Sequence, residues 1–180
     1  MSNRWHDRAV QVTIRAAQEA DIPALSVVAR RTWAHAFGSS LSPEQLAAEL
    51  DETRSEHYFR TALGVHTVLV AEVAGDLVGY VQFGDVTIPE VDAQPGDRGL
   101  HRVYVETELQ GRGIGRALMD AALSHPRLAD AERIYLAVWT ENEPAMRLYT
   151  SLGFRAAGTT RFTLGGEEVE DLVLVLERPA

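Results

Sequence analysis

A short segment near the middle of the chain alternates glycine with cationic residues, in a pattern that suits an anion. The segment reads Gln110-Gly111-Arg112-Gly113-Ile114-Gly115-Arg116. Glycine has no Cβ and tolerates left-handed dihedral angles, so several backbone N–H groups can converge on one phosphate. A helix that begins within the segment would add roughly half a positive charge at its N-terminus. The pattern therefore predicts a loop that binds a pyrophosphate, with Arg112 and Arg116 adding formal charge.

Two common phosphate-binding loops do not fit this segment. A loop of the nucleotide-hydrolase type needs a lysine before serine or threonine, and the chain contains no lysine. The dinucleotide-binding fingerprint needs a third glycine where Arg116 stands. The pattern that remains is Gln-x-x-Gly-x-Gly, formed by Gln110, Gly113 and Gly115.

A second group of functional candidates follows on a short predicted helix. Asn142 and Tyr149 lie about two helical turns apart, so both fall on one side of that helix. The stripe that packs is formed by Ala145, Leu148 and Leu152. Taken alone, Tyr149 is interpreted as an ordinary tyrosine of the core.

Together the two segments resemble the GNAT (GCN5-related) N-acetyltransferase family. Gln-x-x-Gly-x-Gly is similar to the family's acyl-CoA pyrophosphate loop, and Asn-x-x-Ala-x-x-x-Tyr-x-x-x-Gly-Phe at 142–154 is similar to the second half of its site. The resemblance implies acetyl-CoA as co-substrate, no metal, and Tyr149 as the acid that protonates the departing thiolate. It also implies that Asn142 contacts the pantetheine arm and that the strand at 103–105 aligns the thioester. The implied cofactor-binding residues are Val103, Tyr104, Val105, Gln110, Gly111, Arg112, Gly113, Ile114, Gly115, Arg116, Asn142 and Tyr149.

The general base is the point at which the chain departs from the family. Many members carry a glutamate four residues before the position of Val103, where this chain has Gly99. His101 lies two residues further on, hence on the same strand face, and its ordinary pKa of about 6.5 suits a base at neutral pH. Three alternatives stay open: a histidine that only fills the sheet face, Glu141 as the base, and a water held by backbone carbonyls.

Hydrophobic periodicity predicts a mixed α/β (α+β) scaffold for these residues. The predicted order is strand, two helices, three strands, helix, strand, helix and two strands, with the first strand at 10–15 and the first two helices at 22–37 and 43–63. The strands at 100–105 and 133–139 flank a helix, so they are predicted to be parallel neighbours. This is the GNAT element order. It implies a mixed, mostly antiparallel central sheet of about seven strands, with the fourth and fifth parallel and splayed apart, flanked by about four helices.

Composition bounds the organisation and the chemistry of the chain. With 180 residues, 46% of them hydrophobic, residues 1–180 are predicted to form a single domain. Without an apolar run of membrane-spanning length, the protein is predicted to be soluble and cytoplasmic, with no membrane partner. Zero cysteines and zero lysines exclude disulfides, thiolate zinc sites, cysteine-acyl intermediates and Schiff bases, so acyl transfer must be direct or use a hydroxyl. The net charge of −9 disfavours nucleic acid and suits a cationic substrate, although it can serve solubility alone.

The acceptor is the least constrained part of the sequence hypothesis. The segments Thr32 to Gly38 and Arg102 to Val105, with Phe162-x-x-Gly165 and Asp171, together resemble the bacterial subgroup that acetylates polyamines such as spermidine. The alternatives are a peptide or protein N-terminus, another small amine, or a non-catalytic acyl-CoA-binding sensor. The edge strands of the last hairpin are compatible with a homodimer.

Overall fold

A seven-stranded sheet forms the centre of the molecule in a computed structural model that describes residues 11–178. The strands are β1 (Val12–Ala16), β2 (Thr67–Val73), β3 (Asp76–Gly84), β4 (Arg98–Val105), β5 (Arg133–Trp139), β6 (Arg155–Leu164) and β7 (Glu167–Glu177). Their order in the sheet is β1-β2-β3-β4-β5-β7-β6, and every neighbouring pair is antiparallel except β4 and β5. The predicted mixed sheet is confirmed, while Val10, the predicted start of the first strand, lies outside the described residues. No helix within 11–178 has the length and apolarity needed to cross a membrane.

The parallel strands β4 and β5 diverge soon after they meet. They pair only through Arg98 with Ile134 and Gly99 with Tyr135. β4 nevertheless stays paired with β3 as far as Val105, and β5 stays paired with β7 along its whole length. Backbone groups on the facing edges of β4 and β5 therefore border a gap, in which an extended ligand can take the place of a neighbouring strand.

Six helices occur within the described residues. They are α1 (Ile22–Phe37), α2 (Pro43–Thr53), α3 (Glu56–Val65), α4 (Ile114–Ser124), the single-turn α5 (Pro126–Ala129) and α6 (Glu143–Ser151). The capping predicted at Ser42 is present, because its Oγ accepts from the backbone N–H of Gln45.

The predicted single helix at 43–63 is wrong, because the chain breaks between α2 and α3. Ser55 caps α3 by accepting a hydrogen bond from the backbone of Tyr58. The carbonyl of Arg54 accepts from Ser26 Oγ at 2.7 Å, and its guanidinium lies 4.2 Å from the ring centroid of Trp33. These tertiary contacts to α1 fix the chain at Arg54 between the two helices. Hydrophobic periodicity within 43–63 does not reveal them.

Both faces of the sheet are covered by helices. One face packs against α4 around residues such as Phe83, Leu118 and Met119, and the other packs against α1 and α3 around Leu25 and Phe59. The gap between β4 and β5 is therefore bordered by α4 on one side of the sheet and by α1 and α3 on the other.

Candidate active site

The gap between β4 and β5 widens into a cleft of about 640 Å³, a volume typical of small-molecule sites. It is lined by β4 from Leu100 to Val105, the glycine-rich loop, β5 from Leu136 to Trp139, and α6. Of the residues predicted to bind the cofactor, all but Arg112 and Ile114 line this cleft, and so does His101. The side chain of Ile114 is only 1% exposed and belongs to the core, so any part it takes in binding falls to its backbone.

The glycine-rich loop has the backbone conformation that an anion-binding turn needs. Gly111 and Gly113 have φ values of 75° and 82°, in the left-handed region where residues with a Cβ are strained. Gly113 is the N-cap of α4, and a Cβ added at either glycine would meet nothing within 4 Å. Gln110 ties the loop to the end of β4, because its Nε2 donates to the carbonyl of Val105 at 3.1 Å. The open space beside both glycines, at the N-terminus of a helix, is suited to an anionic group.

Arginines line the cleft that contains this loop. Arg116 Nε donates to both carboxylate oxygens of Asp120, at 2.9 and 3.1 Å, so its charge is already shared with an acid on the same helix. Arg147 lines the same cleft from α6 and pairs with Glu143 at 3.0 Å. Sequence reasoning missed Arg147. The available signal was a cation inside the Asn142–Tyr149 segment.

The two predicted residues of α6 lie on the cleft. Asn142 Oδ1 caps the helix by accepting from the backbone N–H of Ala145 at 3.2 Å, which leaves its amide N–H groups for a ligand. Tyr149 is 7% exposed and lines the cleft. Burial raises the pKa of Tyr149, with a further contribution from Tyr104, so the phenol is protonated at neutral pH and has a proton to donate. Transfer from an ordinary tyrosine to a thiolate costs about 2 kcal/mol, and the raised pKa makes the cost larger in the ligand-free cleft.

Gly99 has no room for a side chain. A Cβ at this position would lie 2.8 Å from the carbonyl oxygen of Asp85 and 3.1 Å from Val86 Cα. It would also lie 3.0 Å from His101 Nε2, so the imidazole occupies the space into which a side chain at 99 would project. The backbone that follows β3 thus passes over Gly99 and leaves no room for a glutamate at this position.

β4 is distorted beside this glycine. Its register with β3 shifts by one residue, since Gln82 pairs with Arg102 and Phe83 pairs with Leu100. His101 is therefore the extra residue of a β-bulge, a feature that re-aims side chains and interrupts pairing near functional sites.

His101 is held in one orientation by this backbone. Its Nε2 lies 2.8 Å from the carbonyl oxygen of Asp85, which requires a proton on that nitrogen and leaves Nδ1 as the acceptor. Burial lowers the pKa of His101 to about 4, with help from nearby His66 and Arg102. The imidazole is neutral at pH 7, yet it is a weaker base than the sequence alone suggests. Its role as general base stays a prediction.

We expect His101→Gln to lower kcat/KM for the amine by the same factor at every pH between about 5.5 and 8, because the imidazole is uncharged throughout that range. Steady-state pH profiles of the wild type and the variant check this. A ratio that shrinks as the pH drops through about 6.5 would show that His101 titrates normally and contradict the lowered pKa. Equal kcat/KM values for the wild type and the variant at every pH would show that His101 does not take the proton from the amine.

A smaller cavity of about 300 Å³ adjoins the cleft through shared residues Leu100, His101, Arg102 and Ala137. Arg102 lies between the two, with its guanidinium 4.4 Å from the ring centroid of Tyr58 and its Nη1 donating to the carbonyl of Thr53 at 2.6 Å. No carboxylate of residues 11–178 forms an ion pair with Arg102.

Sequence reasoning also missed three residues of this cavity. They are Tyr58 of α3, His66 directly after α3, and Gln82 of β3. They lie on separate elements and form no motif, so no local signal marks them. Across the described part of the chain, no three histidine, cysteine, aspartate or glutamate side chains gather into a metal-binding group.

Comparison with known proteins gives one consistent result. Residues 30–154 match the family model described as acetyltransferase (GNAT) family. The spermine/spermidine N(1)-acetyltransferase of Bacillus subtilis is 31% identical over 121 residues, 67% of this chain and 74% of that protein. The L-methionine sulfoximine/L-methionine sulfone acetyltransferase of Salmonella typhimurium is 29% identical over 145 residues, 79% of this chain and 80% of that protein. The crystal structure of the PaiA N-acetyltransferase from Thermoplasma acidophilum in complex with coenzyme A has the same fold, with a TM-score of 0.75 at 19% identity over 93% of this chain and 99% of that one.

Proposed function

Because the chain belongs to the acetyltransferase (GNAT) family and is an acetyl-CoA-dependent N-acetyltransferase, we propose that it acetylates a small cationic primary amine, such as a polyamine, by direct attack in a ternary complex. The observation that carries the proposal is the gap between β4 and β5, which has the glycine-rich loop at one end and Tyr149 along its wall. Acetyl-CoA supplies the acetyl group already activated as a thioester. Since the chain contains no cysteine, no enzyme thiol is available to carry the group.

Each part of the cleft has a separate task in this proposal. The N–H groups of the loop and of the first turn of α4 would hold the diphosphate, and the amide of Asn142 would hold the pantetheine arm. The edge of β4 at Val103 to Val105, left without a partner strand on the β5 side, would align the thioester and polarise its carbonyl. Tyr149 would deliver its proton to the departing sulfur.

The nature of the amine is supported by charge and by one relative. The chain carries a net charge of −9, which attracts a polycation and raises its rate of encounter. The Bacillus subtilis relative is named for acetylation of spermine and spermidine. At neutral pH a primary ammonium must lose a proton before it attacks, at a cost of about 4.6 kcal/mol. The site therefore has to bind the ammonium form and release its proton.

A second class of acceptor is favoured by Arg102. A guanidinium without a carboxylate partner, between two connected cavities, is suited to binding a carboxylate of the substrate. An amino acid carries such a carboxylate beside its amine, and the Salmonella typhimurium relative is named for acetylation of two amino-acid derivatives. Arg102 thus makes amino acids the main competitor of polyamines.

The test is a turnover panel with acetyl-CoA and three groups of amines: polyamines, amino acids and short peptides with free N-termini. We expect the highest kcat/KM with a polyamine, and no loss of that activity in Arg102→Gln, because removing a cation does not weaken binding of another cation. If an amino acid is the acceptor, Arg102→Gln should lower its kcat/KM by about 100-fold, the effect of losing one charge-assisted pair.

Arg60→Gln is the matched control for Arg102, since Arg60 is exposed on α3 and lies 4.0 Å from Glu56 within the same helix. It should change no acceptor's kcat/KM by more than about two-fold, as expected of an exposed pair. If a peptide gives the highest kcat/KM, the acceptor is a peptide N-terminus and the proposal of a small amine is wrong. Tight binding of coenzyme A without turnover of any amine would contradict the proposal and favour a sensor domain.

A further inference from the structure

A carboxylate on β7 reaches the cleft without a partner. Asp171 is among the residues that line it, and its Oδ1 is buried and accepts no hydrogen bond from any described residue. No arginine or histidine within 11–178 forms an ion pair with it. A buried carboxylate oxygen without a donor is unfavourable unless a ligand supplies one. An ammonium group supplies both a donor and the opposite charge.

The immediate neighbours of Asp171 do not donate a hydrogen bond to its buried Oδ1. In the sheet it lies opposite Trp139 of β5 and Thr160 of β6. Trp139 carries no charge, and the hydroxyl of Thr160 is hydrogen-bonded to the carboxylate of Glu90 instead. The carboxylate of Glu90 adds negative charge beyond Thr160, on the side of the sheet that Thr160 and Asp171 share as cross-strand partners.

Asp171 lies on the side of the sheet that faces away from α4. The next residue, Leu172, packs against the main core, whereas Val173 packs with Tyr135 against the segment after β3. Because side chains alternate along a strand, Asp171 shares the face of Val173. The diphosphate loop lies at the N-terminus of α4, so Asp171 is directed at the acceptor rather than at the diphosphate.

Aromatic rings complete this part of the cleft. Phe37, at the end of α1, has its ring centroid 5.8 Å from that of Trp139, and both residues line the cleft beside Asp171. Aromatic faces attract an ammonium group placed within about 6 Å of the ring centroid. A carboxylate and two aromatic rings are the elements of a cation-binding pocket.

We propose that Asp171, Phe37 and Trp139 form a subsite that binds an ammonium group of the acceptor amine. The inference rests on the proposed acetylation of a cationic amine and adds the residues that recognise it. Burial raises the pKa of Asp171 to about 6, so the carboxylate is ionised at neutral pH and its charge is available to the ligand.

The test is calorimetric titration of spermidine into protein saturated with coenzyme A. We expect Asp171→Asn to weaken spermidine binding by at least about 10-fold, with unchanged affinity for coenzyme A. Under turnover the variant should raise KM for spermidine and leave kcat within about three-fold. Phe37→Leu keeps an apolar side chain but removes the ring face, and we expect binding to weaken about three- to five-fold.

Glu170→Gln is the matched control, because it removes one negative charge from the adjacent residue. Glu170 is exposed and lies 3.8 Å from Arg161. It should change spermidine binding by less than about two-fold, since an exposed charge is screened by solvent. An equal loss in both variants would show that only overall charge matters and would overturn the inference.

The melting temperature distinguishes a binding role of Asp171 from a structural one. Loss of a structural residue would lower it. Asp171→Asn removes an unpaired buried charge, so we expect its melting temperature to rise above that of the wild type. A lower melting temperature together with unchanged spermidine binding would overturn the inference, and so would wild-type protein that binds no spermidine. The turnover panel decides separately whether the protein acetylates amines.

Discussion

Tyr149→Phe is expected to lower kcat by about 100- to 1,000-fold, the range for loss of a positioned general acid. Burial keeps the phenol protonated, and the residue lines the cleft where the thiolate would leave. The ring packs against Phe154 at a centroid distance of 5.9 Å, a contact that phenylalanine preserves. Affinity for coenzyme A should therefore change by less than about three-fold. Single-turnover kinetics and calorimetry measure the two quantities separately.

Tyr80→Phe is the control for this variant. Tyr80 is also a buried tyrosine, burial also raises its pKa, and its hydroxyl has no hydrogen-bond partner among the described residues. It does not line the cleft, so its replacement should leave kcat within about two-fold. Turnover by Tyr149→Phe equal to that of the wild type would remove Tyr149 from the mechanism.

Gly113→Ala is expected to weaken coenzyme A binding by about 100-fold, equivalent to about 2.7 kcal/mol, or the loss of one to two charge-assisted hydrogen bonds. The added Cβ would occupy the open space beside the N-cap of α4, where the diphosphate would sit. It would also strain a backbone with φ of 82°, so the N–H groups of the loop would no longer converge. Calorimetric titration with coenzyme A gives the affinity directly.

Gly75→Ala is the control for Gly113→Ala, because it introduces the same backbone strain at a position outside the cleft. Gly75, in the turn between β2 and β3, has φ of 86° and likewise nothing within 4 Å of an added Cβ. Both variants should lose about 1 kcal/mol of folding stability, but only Gly113→Ala should lose affinity for coenzyme A. Equal affinity in the two variants would mean that the loop does not hold the diphosphate.

The features that sequence predicted correctly depend on neighbouring residues. The left-handed turn at Gly111 and Gly113, the cap at Asn142 and the succession of strands along the chain each have a local cause, in dihedral preference, side-chain length or alternation. The parallel pair of β4 and β5 followed from the helix between them. Their early divergence came from the family resemblance, since no local pattern specifies where two strands part.

The features that sequence could not predict depend on residues far apart in the chain. The break at Arg54 is held by Ser26 and Trp33 of α1. The lowered pKa of His101 arises from burial against the segment after β3 and from His66 beyond α3. Asp171 was noted in the sequence only as part of a subgroup pattern. That its Oδ1 lacks a hydrogen-bond donor among the described residues depends on its neighbours on β5 and β6, which sequence does not identify.

The backbone of Asp85 and Val86 over Gly99 constrains how this enzyme can evolve or be engineered. Replacing glycine with glutamate there would not by itself supply a base, since the new side chain would displace main-chain atoms before it could meet a substrate. The loop after β3 would have to change length or path first, and that change would remove the carbonyl that orients His101. A carboxylate at position 99 therefore requires changes both at that residue and in the loop after β3, at the expense of the hydrogen bond that holds His101.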